Sequence, residues 1–146
     1  MWKIILIASA VFGLDQLTKW AAVKYLAEAI QVIENVLQFK LFYNHGIAFS
    51  ISIPQTIIIT LTYIMLIIGV YFAYQELNLK NWYTQILLGV IMGGTLGNLF
   101  DRALQGSVVD FIAVANYPVF NIADIGITVG LFCIVIFFER LRKKKV

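Results

Sequence analysis

Residues 82–102 read WYTQILLGVIMGGTLGNLFDR. No charged side chain occurs from Trp82 to Phe100, and a bilayer core of about 30 Å asks for a helix of about 20 such residues. Gly89, Gly93, Gly97 and Asp101 recur every four positions, so one face is stripped to small residues, which lets a second helix approach closely. Asn98 lies three residues before Asp101 and shares that face. The stretch therefore predicts a membrane helix packed hard against a neighbour and carrying polar groups at one end.

Working outward, three more stretches are apolar enough to cross. With this one they give spans at about 4–23, 55–74, 82–100 and 121–138, a single domain over residues 1–146. The composition agrees: 61% hydrophobic and 13% charged lies far from the soluble average of about 45–50% and 25%. Pro54 and Pro118 fall just ahead of the second and fourth spans, where a missing amide costs little. The first span contains Asp15 and lacks a small-residue cleavage site before the next loop, so it reads as a retained helix.

The net charge of +3 does not point to nucleic acid, because Arg140, Arg142, Lys143, Lys144 and Lys145 crowd one tail, as in a cytoplasmic anchor. With four spans both termini share a side. That side would carry seven basic residues (Lys3, Lys80 and the tail) against three on the other (Lys24, Lys40 and Arg102), which places the termini in the cytoplasm. One cysteine, Cys133, and one histidine, His45, exclude an internal disulfide and a Cys/His zinc site. No metal and no cofactor is expected. The outer connection at about 30–53 alternates apolar and polar residues over Leu37–Leu41 and again over Ile47–Ile53, around Asn44, His45 and Gly46. It predicts a small β-hairpin between spans one and two, on an otherwise all-α bundle of four transmembrane helices.

The acidic residues are partitioned. Asp15, Asp101, Asp110 and Asp124 lie in or beside the spans, whereas Glu28, Glu34, Glu76 and Glu139 fall in loops or at the inner edge. A carboxylate at bilayer depth costs at least about 2.5–3.5 kcal/mol, so it is a functional candidate by default. In the predicted orientation all four aspartates converge near the outer leaflet with Asn44 and Asn98, Asp110 sitting in the loop between the last two spans. Asp15 and Lys19, at i and i+4, either pair or leave Lys19 to snorkel to headgroups. Arg102 is either a salt-bridge partner of Asp101 or a forked donor for a carbonyl or phosphate. Gly46 reads as a hinge or as a rigid turn.

Five segments together resemble signal peptidase II, the lipoprotein signal peptidase family. They are Asp15-Gln16-Leu17-Thr18-Lys19, Asn44 through Phe49, Gly93 through Arg102, Val108-Val109-Asp110-Phe111, and Phe120 through Asp124, in family order along almost the whole chain. The resemblance implies an aspartic peptidase of the bacterial inner membrane. Such an enzyme removes signal peptides from prolipoproteins on the N-terminal side of a diacylglyceryl-modified cysteine, acting on a lipidated substrate within the phospholipid bilayer. Separately from the resemblance, a monomer is expected. The resemblance maps the catalytic pair onto Asp110 and Asp124. Asn44, Asn98, Arg102 and Asn121 would shape the site and hold substrate, with Asp15, Lys19, Gly46 and Asp101 in support. Ile47 and Ile125 depart from the family's usual alanine and small hydroxyl residue.

The chemistry is consistent with the residues. Two carboxylates sharing a proton supply both acid and base around one water, because like charges held close cannot both ionise. Asn121 as a helix cap would put Asp124 at the third helical position, where the helix dipole favours negative charge, so Asp124 is assigned the base and Asp110 the proton. The alternative reading of intramembrane aspartates is a small proton-coupled transporter or channel subunit.

Overall fold

The computed structural model describes residues 1–46 and 53–144. Five helices are present among them: α1 (Trp2–Tyr25), α2 (Gln55–Glu76), α3 (Trp82–Gln105), α4 (Ile122–Ile136) and α5 (Phe138–Leu141). Three strands, β1 (Ile30–Ile33), β2 (Leu37–Asn44) and β3 (Val108–Val114), form one antiparallel sheet in the order β1-β2-β3. Helices α1, α2 and α3 are long and apolar enough to cross a membrane. Helix α4 is apolar but has 15 residues, and Phe137 separates it from α5.

Helix α3 is the centre of the bundle, and its glycines are the reason. A Cβ on Gly93 would stand 2.5 Å from the Ala8 carbonyl oxygen and 2.8 Å from Val11 Cβ, so α1 lies against bare α3 backbone. One residue on, a Cβ on Gly94 would stand 2.8 Å from the Ala123 carbonyl oxygen of α4. Adjacent glycines thus seat two different helices, and no rotamer change relieves a clash with main-chain oxygen. Gly93→Val is expected to destabilise the fold by about 3 kcal/mol or more, the upper end for overpacking. The check is the melting temperature in detergent, with Gly69→Ala as the control, since nothing lies within 4 Å of a Cβ there.

The sheet differs from the expected hairpin. The reversal joins β1 to β2 at Glu34–Val36, where Val36 N–H donates to the Ile33 carbonyl at 3.0 Å and Asn35 adopts a left-handed φ of 58°. The anticipated first strand is present within β2. Residues 47–52 of the anticipated second strand lie outside the described residues, and Ile53 belongs to no strand. The sheet is also not confined to the connection between the first two spans. Its third strand comes from between α3 and α4, with Leu37 opposite Val114, Phe42 opposite Asp110 and Asn44 opposite Val108. Asp110 therefore sits in a strand and not in a loop. Val108, Val109, Phe111 and Ala113 are all buried, so β3 is covered on both faces and shows no alternation that would betray a strand.

At the far end of the bundle the chain closes on itself. Asn78 N–H donates to the Leu141 carbonyl at 2.7 Å, and Lys143 N–H to the Glu76 carbonyl at 2.8 Å. Lys3 lies over the Trp82 ring at 4.9 Å. The start of α1, the α2–α3 turn and the end of α5 thus share one end, and the sheet occupies the other.

Candidate active site

The first turn of α4 organises the site. Asn121 is fully buried and caps the helix: its Oδ1 accepts from Asp124 N–H at 3.0 Å, while Asp124 Oδ2 accepts from Asn121 N–H at 3.1 Å. This reciprocal pair needs a short polar residue at the cap and a carboxyl three residues later, which the sequence provides. The free amide of Ala123 is satisfied from another helix, donating to Asp15 Oδ1 at 3.1 Å. Asp124 receives a second donor, Asn98 Nδ2, at 2.8 Å on Oδ1.

Asp110 is brought opposite by β3 and is 1% exposed. Asn121 Nδ2 donates to its Oδ1 at 2.7 Å, and Asn44 Nδ2 to its Oδ2 at 3.0 Å. The β2–β3 register makes the second bond, because Asn44 stands two residues past the position facing Asp110. Gly46 N–H in turn donates to Asn44 Oδ1 at 3.0 Å, a side-chain turn that fixes which end of the Asn44 amide faces Asp110. Burial pushes the Asp110 carboxyl up to about 6, and the negative charge of Asp124 adds to this; the Asn44 and Asn121 bonds hold it back.

Both carboxyls face a cavity of about 390 Å³, shared with Asn44 and Arg102 and walled by apolar groups including Tyr117, Phe120, Ile125 and Val129. Arg102 makes no ion pair among the described residues, and its buried Nε has no hydrogen-bond partner among them. Of the two readings of Arg102, the geometry supports the available donor over a salt bridge to Asp101. Asp101 pairs elsewhere: Lys19 Nζ lies 2.8 Å from Asp101 Oδ2 and 2.7 Å from Asp15 Oδ2, all three side chains being buried. Lys19 therefore does not snorkel to headgroups, because two carboxylates hold it in the interior. Gly97 leaves the room for this, since a Cβ there would run into the Asp15 carboxylate.

The structure thus draws Asp15, Lys19, Asn44, Asn98, Asp101, Asp110, Asn121 and Asp124 into one connected polar network, with Arg102 facing the cavity and Gly46 fastening its edge. Gln16 was missed. Its Nε2 donates to Asp101 Oδ1 at 2.9 Å, and only its place beside Asp15 hinted at a role. Tyr117, Phe120, Thr128 and Val129 were missed as cavity wall; the last two become legible once the start of α4 is fixed, one turn beyond Asp124. His45 lies outside this network and the cavity lining; its carbonyl accepts from Gln55 Nε2. Cys133 lies in a separate cavity with Asn81 and Arg140, away from the aspartates.

Comparison with known proteins gives consistent results. A family model described as signal peptidase (SPase) II matches residues 7–140. A protein named lipoprotein signal peptidase from Geobacillus thermodenitrificans (strain NG80-2) is 37% identical over 137 residues, covering 90% of this chain and 86% of the relative. Its namesake from Bacillus subtilis (strain 168) is 36% identical over 148 residues, covering 96% of each. A solved structure titled as a bacterial membrane enzyme, determined by the in meso method at 2.3 Å, superposes with a TM-score of 0.80 at 33% identity, covering 100% of this chain and 95% of that one.

Proposed function

The chain belongs to the signal peptidase II family, a family of membrane peptidases, and from that premise we propose that Asp110 and Asp124 are its catalytic pair. The transporter alternative finds no support among the relatives. One observation carries the assignment of the pair: Asn121 bonds both carboxyls at once, Asp110 through its side chain at 2.7 Å and Asp124 through its main chain at 3.1 Å, with both facing one cavity.

In this reading Asp124, at the positive end of α4 with two N–H donors, takes a proton from water as the water oxygen bonds to the scissile carbonyl carbon. Asp110, whose carboxyl is pushed up to about 6, holds the proton that the carbonyl oxygen needs as charge develops. Collapse of the tetrahedral adduct breaks the C–N bond, and the leaving nitrogen carries away a proton from the pair. Arg102 offers its forked donors to a backbone carbonyl of the bound peptide. The substrate is a signal peptide joined to a diacylglyceryl-modified cysteine, which reaches the cavity laterally from the bilayer along the apolar wall.

The protein crosses the membrane four times in this reading, α4 and α5 together making the last crossing. Support comes from the shared end of α1, the α2–α3 turn and α5, where Lys3, Lys80, Arg140, Arg142 and Lys143 gather, the cytoplasmic pattern. The catalytic pair then lies toward the outer leaflet, and a single copy holds every group named. The test is cleavage of a lipidated prolipoprotein beside its unlipidated form, by purified protein with chelator present. Cleavage before the lipidated cysteine alone, undiminished by chelator, is expected. Loss of activity in chelator, or cleavage of neither form by well-folded protein, overturns the proposal.

A further inference from the structure

Asn98 donates to Asp124 from one end of its amide, and nothing in an amide's shape decides which end that is. Its Oδ1 accepts from two donors, Lys19 Nζ at 2.9 Å and Asn121 Nδ2 at 3.1 Å. The two are not equivalent. Asn121 Nδ2 already has a shorter bond to Asp110 at 2.7 Å, whereas an ammonium has three donors and no lone pair. Turned over, Asn98 would set its own N–H groups against a buried cation and leave Asp124 Oδ1 facing an oxygen. Charge-assisted bonds are about twice as strong as neutral ones, so the cation sets the orientation.

We infer that Lys19 is a positioning residue for Asp124, acting through the amide of Asn98. It lies off the cavity wall, 3% exposed, and is itself held by Asp15 at 2.7 Å and Asp101 at 2.8 Å. Those carboxylates are braced in turn by Ala123 N–H and Gln16 Nε2. Helix α1 thus contributes no group to the cavity, yet fixes the donor that one reacting carboxylate accepts. The inference rests on the reading of Asp124 as catalytic.

The test is a double-mutant cycle of Lys19→Met and Asn98→Ala, with kcat and KM measured on folded protein against a lipidated prolipoprotein. Lys19→Met is expected to lower kcat by about 100-fold with KM changed by less than about threefold, the size of loss expected when a reacting group is misplaced. In the Asn98→Ala background the same change should cost less than about threefold, because the route through Asn98 is already cut. Where Lys19→Met does not fold, Lys19→Met/Asp101→Asn replaces it with Asp101→Asn as reference, which restores the net charge of the buried cluster. Wild-type kcat in a folded Lys19 variant overturns the inference, and so does an undiminished loss in the Asn98→Ala background. Cleavage by Asp124→Asn would instead sink the catalytic reading itself, so the two failures are told apart.

Discussion

Asp124→Asn and Asp110→Asn should each lower kcat by about 10³-fold or more while leaving folded protein, and Asp110→Asn should differ from the wild type in stability. The loss follows from the chemistry, since an amide can neither take the proton from water nor return one, and general acid–base steps contribute about 10²–10⁴-fold each. The stability difference follows from burial. Asp110 is 1% exposed and its carboxyl titrates near 6 in place of 3.8, so folding favours its neutral form. That contribution is fully present below about pH 4 and is lost as pH rises through about 6. The displacement corresponds to about 3 kcal/mol, from which about 1 kcal/mol is subtracted because Asn cannot accept from both Asn44 and Asn121. Asp110→Asn should therefore melt above the wild type at pH 8 and lose that advantage near pH 4. The wild-type rate should fall above about pH 6 as Asp110 gives up its proton, the apparent constants belonging to the pair. A rate flat from pH 5 to 9, or equal melting of wild type and Asp110→Asn throughout, contradicts the assignment.

Asn121→Ala should damage rate and stability together, costing about 100-fold in kcat and about 2 kcal/mol of stability. Asn121 is fully buried, and its side chain serves Asp124 N–H, Asp110 Oδ1 and Asn98 Oδ1 together. Truncation strips the helix cap, which alone costs about 1 kcal/mol, and leaves buried partners unsatisfied for about as much again. It also removes a bond that restrains the Asp110 carboxyl, so the alkaline limb of the pH–rate profile should move upward. Asn121→Ser keeps a cap oxygen but not the amide donors, so it should recover stability without recovering rate. Recovery of both by Asn121→Ser would show that the cap alone matters.

The helices and the polar residues were largely legible in the sequence, for physical reasons that differ. Spans are legible because bilayer thickness sets their length, and the Gly89–Gly93–Gly97 spacing because only small residues permit a close crossing. Asp124 was legible as an α4 residue from the three-residue step after Asn121, since capping is local. Asp110 reads as a loop residue in the sequence because a strand covered on both faces has no period to read, and its partner strand lies more than sixty residues earlier. The direction of Lys19 was open for a similar reason: Asp15 one turn away favours pairing, but Asp101, which makes the interior the better place, is distant in sequence. Gln16 and the Tyr117–Phe120 wall carry no charge, so polarity alone does not mark them, although Gln16 and Phe120 fall inside the resembling segments.

The pairing of β2 with β3 also dictates an order of events during synthesis. Asn44 leaves the ribosome long before Asp110, and α2 and α3 must both be threaded before the two strands can meet. The β1–β2 hairpin has no complete sheet to join in the meantime, and long-range pairing of this kind is slow because the intervening chain must be closed first. A nascent chain arrested after α3 would therefore carry Asn44, Asn98 and Arg102 but neither of the two carboxyls proposed as the catalytic pair. On the proposed assignment of the pair, the peptidase would become competent only once Asp124 and the first turn of α4 have emerged, so a copy arrested earlier would not cut lipoprotein precursors.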